Sequence, residues 1–310
     1  MAATFQQLEK EKNFRHALGV FFVLSGACLW GVSGNVAQYL FDVQHIRPGW
    51  MTSVRMIVAG ILLLLFTASQ DSTKVWRIWQ DRSSRFPLLI FGFAGMIGAQ
   101  YTYFEAVAAG NAATATLLQY LSPVLIMVYL SIRLRKWPTR KEFAAIFLAL
   151  FGIFLIVTKG QPGELSIAPA ALFWGLLSAA GGALYSTQPD NLLHKWGAGP
   201  VVGWGMLLGG SLIGVFYPPW HYSGNLSLAA FAGILFVIIF GTLVAFYLYL
   251  ASLKYLQPIE TSLLGCAEPL SAAIVSVIWI HVSFTVFDWI GACCIMVTVF
   301  ILSTAGGRKK

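Results

Sequence analysis

The sequence predicts an all-α membrane protein of ten transmembrane helices, built as two inverted five-helix repeats. Three observations support this prediction: the composition, the distribution of basic residues and an internal repeat. Of the 310 residues, 58% are hydrophobic and only 10% are charged, and the mean hydropathy is +0.74. Since a soluble domain carries about 25% charged residues, lipid must cover much of this protein's surface.

Ten segments are long and apolar enough to cross a bilayer, which takes about 20 residues at roughly 1.5 Å each. They are residues 17–40, 49–69, 86–108, 111–134, 141–158, 168–187, 200–218, 227–252, 258–280 and 284–304. The expected organisation is an N-terminal tail (1–16), a first repeat (17–158), a second repeat (168–304) and a basic tail (305–310). The short connections leave no room for a soluble catalytic domain, so any activity must lie in or across the bilayer.

The lysine and arginine residues orient the predicted spans. With a cytoplasmic N-terminus, the cytoplasmic segments hold 17 of the 20 basic residues, the outside loops hold Arg47 and Lys159, and Arg55 lies within a span. Because basic residues favour the cytoplasmic side, both termini are expected in the cytoplasm, in a multi-pass cell-membrane protein. The same distribution accounts for the net charge of +8, so no nucleic-acid partner is expected.

An internal repeat relates the two halves of the chain. At an offset of 146, residues 95–123 match residues 241–269 at seven of 29 positions. The shared features are a Tyr-x-Tyr pair (Tyr101 and Tyr103, Tyr247 and Tyr249), a later proline (Pro123, Pro269) and, near the start of each half, a Trp-Gly pair (Trp30 and Gly31, Trp174 and Gly175). An odd number of spans in each half inverts the second half, and such repeats place a substrate site at their interface.

These features resemble the EamA family of the drug/metabolite transporter superfamily. The resemblance is carried by the Trp-Gly pair, Arg55 in the second span, the paired prolines, and the stretch 148–158 that closes the first repeat, and it covers residues 17–304. It implies a ten-helix bundle with a central cavity and transport of amino acids, amines or related metabolites. The second repeat has Gly205 or a near neighbour where the first has Arg55, so the cavity wall is not expected to be symmetric.

Glu268 is the first candidate for a functional residue. It lies about ten residues into the ninth predicted span, directly before Pro269, where a charge costs about 2.5–3.5 kcal/mol. The proline also frees a backbone carbonyl one turn earlier and creates a polar break in the helix. Three roles stay open: a counter-ion for a substrate ammonium, a proton-coupling group, or a cap of the broken helix.

The expected cavity lies between the first, third, fourth, sixth, eighth and ninth spans, which carry the repeated motifs. Its predicted substrate-binding residues are Trp30, Tyr101, Gln119, Trp174, Tyr247 and Glu268. Tyrosines two apart on a helix point about 200° apart, so only one of each Tyr-x-Tyr pair can face the cavity. Arg55 and Glu105 are the other charges within spans, and they are expected to form either a structural ion pair or an outer gate.

The function these residues favour is secondary transport, as an exporter or facilitator, by alternating access. The alternatives are an intramembrane enzyme that uses Glu268 or Glu105 with His281, and a non-transporting receptor. Catalytic and phosphate-binding motifs are not recognised, and no cofactor or metal is expected. The expected partners are the lipid bilayer, a small-molecule substrate and, if Glu268 titrates, protons; a monomer or weak homodimer is expected.

Overall fold

The chain is helical in its computed structural model, which describes residues 2–133, 135, 137–161, 164–222, 224–225 and 227–306. Within these residues there is no β-strand. Seven helices are long and apolar enough to cross a membrane: Phe14–Asp42, Pro48–Asp71, Ala112–Arg133, Arg140–Thr158, Ala198–Phe216, Leu228–Ser252 and Val286–Ser303. The chain is therefore a multi-pass membrane protein. The third, sixth and ninth predicted spans are also helical, although they do not meet the same length and hydropathy criteria, so ten spans remain a prediction.

The described residues of the first half form seven α-helices. They are α1 (Ala2–Asp42), α2 (Pro48–Gln80), α3 (Arg82–Ile90), α4 (Ile97–Ala109), α5 (Ala112–Gln119), α6 (Ser122–Arg133) and α7 (Arg140–Thr158). A π-helical segment, Phe91–Met96, joins α3 to α4. The Asn111 side chain accepts a hydrogen bond from the Thr114 N–H and so caps the start of α5. This cap begins a new helix directly after Gly110, where the sequence predicts that two spans meet.

In the part of the second half that the structure describes there are eight α-helices. They are α8 (Pro169–Thr187), α9 (Asp190–Trp196), α10 (Ala198–Phe216), α11 (Leu228–Ile238), α12 (Ala245–Ser252), α13 (Pro258–Gly265), α14 (Ala267–Ile278) and α15 (Val286–Gly306). A π-helical segment, Ile239–Val244, joins α11 to α12, two residues beyond the place that corresponds to Phe91–Met96 at the repeat offset of 146. The short polar helix α9 is not among the segments predicted from the sequence.

Two helices are broken at matching positions, one in each half. The first broken helix consists of α5 and α6 and changes direction at Tyr120 (φ −67°, ψ 2°). The second consists of α13 and α14 and changes direction at Cys266 (φ −60°, ψ −8°). Pro123 and Pro269 follow each break by three residues. Because proline cannot continue the helical hydrogen-bond ladder, the paired prolines account for both breaks.

The helices of the two halves pack against each other in a reciprocal manner. Helix α2 packs against α10, and α7 packs against α15, so each meets the helix at its own position in the other half. Helix α1 packs against α12 and α14, and α8 packs against α4, α5 and α6 in the same way. The space left at the centre of this arrangement is bounded by both halves.

One end of the bundle is filled by apolar side chains, and we call it the closed end. A buried cluster there includes Leu40, Phe41, Trp50, Phe104 and Val107. These residues lie near the end of α1, the start of α2 and the end of α4. The Trp50 Nε1–H also donates to the Pro219 carbonyl at 3.1 Å, which ties the start of α2 to the loop after α10.

At the opposite end, which we call the α9 end, polar contacts join the two halves. The Lys195 Nζ lies 2.7 Å from Asp81 Oδ2, and the Trp196 Nε1–H donates to Ser84 Oγ at 2.9 Å. Lys195, followed by the Ser84 and Ser83 hydroxyls, holds the pKa of Asp81 well below its usual value because each donates a hydrogen bond to the carboxylate. These contacts attach α9 to the α2–α3 turn.

Candidate functional site

A central cavity of about 440 Å³ lies between the two halves, within the size range of about 300–1,000 Å³ that small-molecule sites occupy. The side chains on its wall that bear charge, amide or hydroxyl groups or aromatic rings include Trp30, Arg55, Gln100, Tyr103, Gln119, Tyr120, Ser122, Tyr185, Phe246, Tyr249 and Glu268. Leu193 and Ala198 line the cavity at the α9 end. The cavity therefore extends from the broken helices toward the α9 end, while apolar packing fills the closed end.

Glu268 lies on this wall, at the second residue of α14. The Tyr120 hydroxyl donates to Glu268 Oε2 at 3.0 Å. Among the residues that the structure describes, no hydrogen bond is formed to the other carboxylate oxygen, Oε1. Glu268 thus offers one acceptor atom to a molecule in the cavity.

Each broken helix has one backbone carbonyl without its usual helical partner. A helical carbonyl accepts from the N–H four residues later, and Pro123 and Pro269 have no N–H. The Ser122 hydroxyl donates to the Gln119 carbonyl at 2.6 Å in the first broken helix. The Tyr120 hydroxyl reaches the Gly265 carbonyl at 2.8 Å in the second. At both breaks a side-chain hydroxyl therefore lies within hydrogen-bond distance of this carbonyl, and in the second case the hydroxyl comes from the other half.

Arg55 points into the cavity wall instead of toward Glu105. Its side chain is 7% exposed, its Nη2 donates to Gln100 Oε1, and its guanidinium lies 4.1 Å from the centre of the Phe104 ring. Among the described residues, Arg55 and Glu105 form no ion pair, so the predicted pair is not present in this structure. The reason is geometric: five residues along α4 turn Glu105 about 140° away from Gln100.

The aromatic part of the wall differs from the prediction at three residues. Trp30 lines the cavity and lies 5.2 Å from Tyr249 and 5.0 Å from Phe246, measured between ring centres. Trp174 does not line it and instead packs against Tyr101, with the ring centres 6.0 Å apart. The placement of Tyr101 and Trp174 on the cavity wall is therefore wrong.

Tyr247 is also outside the cavity, because its side chain is 61% exposed on the outer surface of α12. Tyr103 and Tyr249 take the positions on the wall instead. Each is the second member of its Tyr-x-Tyr pair, and the 200° between the members of a pair lets only one face inward. The sequence shows that one tyrosine of each pair faces the cavity, but it does not show which one.

Gln119 is on the cavity wall, as predicted. Its Nε2 donates to the Ala99 carbonyl at 3.0 Å and to Ser178 Oγ at 2.8 Å. Both donors of the amide group are therefore used to hold the first broken helix against α4 and α8. Its side-chain carbonyl oxygen is the atom left for a ligand.

The Trp-Gly pairs also have a packing role. A Cβ on Gly31 would lie 2.5 Å from the Glu268 carbonyl oxygen and 2.8 Å from the Ala272 nitrogen. Glycine at this position therefore allows α1 to contact the backbone of α14 directly beside Glu268. The Asn35 Nδ2–H donates to the Ala272 carbonyl at 3.0 Å and fastens the same two helices one turn further on.

Sequence reasoning missed Gln100 and Tyr185 on the cavity wall. Gln100 is a polar side chain inside a predicted span, and a systematic search for such residues would have found it. Tyr185 stacks on Phe91 with the ring centres 5.6 Å apart. No feature of the sequence distinguishes Tyr185 from an ordinary packing residue.

Two helical halves around a central cavity that carries both a cation and a carboxylate are the arrangement expected of a membrane transporter. The chain belongs to the EamA-like transporter family, whose profile matches residues 17–158 and again residues 169–304. The chain is therefore a transporter-family protein over nearly its whole length.

Named relatives are consistent with this membership. The chain is 38% identical over 295 residues to YicL of Salmonella typhimurium, an uncharacterized inner membrane transporter, covering 94% of this chain and 97% of the relative. It is 25% identical over 275 residues to RhtA of Salmonella typhimurium, a threonine/homoserine exporter, covering 84% and 83% of the two chains. A crystal structure with 17% identity matches with a TM-score of 0.62, covering 94% of this chain and 98% of the other, and shows the fold alone.

Proposed function

We propose that this protein is a secondary transporter that carries amino acids or related zwitterionic metabolites by alternating access of its central cavity. The observation that carries the proposal is that Arg55 and Glu268 line one cavity. A free amino acid bears a carboxylate and an ammonium group, which are complementary to these two side chains.

The surroundings of Arg55 call for an anionic partner. The side chain is almost fully buried, and among the described residues it forms no ion pair with a carboxylate. A buried charge is costly unless it is paired, and Gln100 supplies only a neutral acceptor. A substrate carboxylate would complete this site with the bidentate geometry that guanidinium favours.

The surroundings of Glu268 suit an ammonium group. Its Oε1 accepts no hydrogen bond from any described residue, and Tyr103 and Tyr249 lie on the same wall. Carboxylates and aromatic faces both attract a cationic amine. The relative RhtA, which is named as an exporter of threonine and homoserine, supports amino acids as the substrate class.

Alternating access is supported by the arrangement of the two halves. The reciprocal packing of α2 with α10 and α7 with α15, the matched π-helical segments and the two broken helices fit ten spans in two inverted repeats. Such repeats move relative to each other around a site near the midplane. The basic residues favour a cytoplasmic α9 end in the cell membrane, and the cavity would then face the cytoplasm in this structure.

Labelling of single cysteines tests this orientation. The four native cysteines are first replaced by serine or alanine, and variants with one cysteine at Ser166 or at Arg82 are then treated with an impermeant reagent in intact cells. We expect labelling at position 166 and none at position 82 until the cells are opened. Labelling of position 82 from outside would contradict both the orientation and the inverted repeat.

The intramembrane enzyme is the less favoured alternative. His281 lies in the loop after α14, and the helix from Glu268 to Ile278 alone rises about 15 Å. Glu268 and His281 are therefore too far apart to act on one bond, and the relatives are named as transporters.

Flux measurements in liposomes test the proposed function. The panel compares a small amino acid, the amine that lacks its carboxylate and the hydroxy acid that lacks its ammonium group. We expect the amino acid to cross fastest and to be recovered unchanged. Formation of a new compound would indicate an enzyme. Absence of amino-acid flux by folded protein, or equal flux of all three compounds, would contradict the proposal.

A further inference from the structure

The second broken helix depends on a hydroxyl from the opposite half of the chain. In the first broken helix, the Ser122 hydroxyl lies 2.6 Å from the Gln119 carbonyl of the same helix, and it also lies 2.9 Å from the Ala179 carbonyl of α8. At the repeat offset of 146, the residue that corresponds to Ser122 is Glu268. An ionised carboxylate has no hydrogen to donate, so Glu268 cannot cap the Gly265 carbonyl as Ser122 caps its counterpart.

Tyr120 supplies this missing donor. Its hydroxyl oxygen lies 2.8 Å from the Gly265 carbonyl oxygen and 3.0 Å from Glu268 Oε2. A phenol has one hydrogen, so these two acceptors compete for it. With Glu268 ionised and unoccupied, one of the two acceptors lacks a donor at any moment.

We propose that Tyr120 is a positioning residue for Glu268, and that an ammonium group or a proton arriving at Glu268 releases the Tyr120 hydrogen to the Gly265 carbonyl. The identity of the arriving group rests on the proposed function, whereas the capping of Gly265 does not. Arrival of substrate then strengthens the contact between the break at Tyr120 and the break at Cys266. Occupation of the site is thereby linked to the contact between the two halves.

Other titratable groups share this part of the cavity. Those that interact electrostatically with Glu268 are Tyr103, Tyr120, Tyr249 and Cys266. Arg55 lies on the same cavity wall. Among them, only the Tyr120 hydroxyl donates a hydrogen bond to Glu268 in the described residues.

A double-mutant cycle of thermal stability tests the cap without any substrate. Tyr120→Phe removes the hydroxyl and should lower the melting temperature by about 2–4 °C, because Gly265 and Glu268 lose their donor. Glu268→Ser introduces the local hydroxyl that Ser122 provides in the first broken helix. On the Glu268→Ser background, Tyr120→Phe should therefore have little effect. An equal drop on both backgrounds would overturn the proposal.

Tyr185→Phe is the matched control for this cycle, since Tyr185 lines the same cavity but is not among the groups that interact electrostatically with Glu268. It removes a tyrosine hydroxyl from the same wall, and its effect on the melting temperature should be the same with and without Glu268→Ser. If Tyr120→Phe alone does not yield folded protein, recovery by adding Glu268→Ser supports the proposal. Failure of Glu268→Ser to restore folding contradicts it.

Transport kinetics separate positioning from a merely structural role. Tyr120→Phe should raise the KM of ammonium-bearing substrates several-fold more than that of the carboxylate-only analogue. Equal changes for both substrates would show that Tyr120 does not position Glu268. Because the thermal cycle uses no substrate, it remains decisive even if the substrates differ from those proposed.

Discussion

The two broken helices share their position, their proline and their local geometry, yet they use their polar residues differently. In the first, the Ser122 hydroxyl caps the break, and Gln119 uses both amide hydrogens to bind α4 and α8. In the second, the cap comes from Tyr120, and Glu268 keeps one carboxylate oxygen for the cavity. The first broken helix is therefore largely tied to its neighbours, and the second presents the free charged group.

This difference indicates how an internal repeat acquires an asymmetric site. The backbone break is retained in both halves because each has a proline at the same place. The residue before each proline is free to differ, and Ser122 corresponds to Glu268. The cation comes from the first half, at Arg55, so the two charges that we assign to the substrate lie on opposite halves.

Arg55 is the charged group that the first half contributes to the cavity, and its substitution should have the largest effect of the variants that compare the two halves. Arg55→Gln should weaken binding of carboxylate-bearing substrates by roughly tenfold or more, because a charge-assisted hydrogen-bonded pair is lost. Arg55→Lys should recover only part of this affinity because lysine lacks the planar fork. Binding of the carboxylate-free amine should change little. Thermal-shift titrations of the purified variants measure the affinity for the carboxylate-bearing substrate and for the amine.

Arg47→Gln, at the closed end and exposed, is the control for the lost positive charge. It should bind the amino acid and the amine as the wild type does. If Arg55→Gln weakens both ligands equally, Arg55 does not recognise the carboxylate, and the division of charge between the halves is wrong.

The two Trp-Gly pairs allow a comparison of packing in the two halves. A Cβ at Gly31 meets the Ser271 hydroxyl and the backbone of α14 at the Glu268 oxygen and the Ala272 nitrogen, whereas the three atoms nearest to one at Gly175 all belong to the Leu118 side chain. A side chain can move more easily than a backbone. Gly31→Ala should therefore lower the free energy of unfolding by about 1–3 kcal/mol, and Gly175→Ala by less. Denaturation in detergent compares them, and an equal or reversed order would contradict this account of the α1–α14 contact.

Removal of the ion pair that joins the two halves at the α9 end should have the smallest effect on stability. Asp81→Asn removes the carboxylate that Lys195 contacts and should lower the melting temperature only slightly, since exposed ion pairs contribute little. The pKa of Asp81 is lowered in the folded protein, so its contribution is present at neutral pH and is lost only as the pH falls below the ordinary value of 3.8. The difference between wild type and Asp81→Asn should thus stay constant from about pH 8 to pH 5. A difference that disappears within that range would show that another group is responsible.

Much of the architecture follows from the sequence because lipid imposes strong constraints on composition. The helical segments, the break near Pro269, and the positions of Gln119 and Glu268 on the cavity wall were expected, whereas the matching break near Pro123 was not. Helix α9 was not expected, because a polar helix of seven residues has neither the length nor the hydropathy that identifies a span. The π-helical segments likewise lack a sequence signal of their own.

The details of the site depend on rotations about helix axes that the sequence does not determine. Tyr103 replaces Tyr101 on the wall, and Arg55 contacts Gln100 in place of Glu105. In a helix with apolar residues on all sides, hydrophobic periodicity does not distinguish the face toward lipid from the face toward the cavity. The repeat identifies which positions correspond, but Trp30 and Trp174 show that corresponding residues can have different surroundings.

The most direct test of the central claim is amino-acid flux into liposomes by Glu268→Gln, with Glu105→Gln as the matched control. Both variants remove one carboxylate from a predicted span, but only Glu268 lies on the cavity wall. We expect Glu268→Gln to remain folded and to lose roughly tenfold or more of the flux, while Glu105→Gln transports at nearly the wild-type rate. If an imposed pH gradient drives accumulation by the wild type, its selective loss in Glu268→Gln would assign proton coupling to the same carboxylate. Wild-type flux by Glu268→Gln, with and without the gradient, would contradict the assignment of Glu268 to the substrate site.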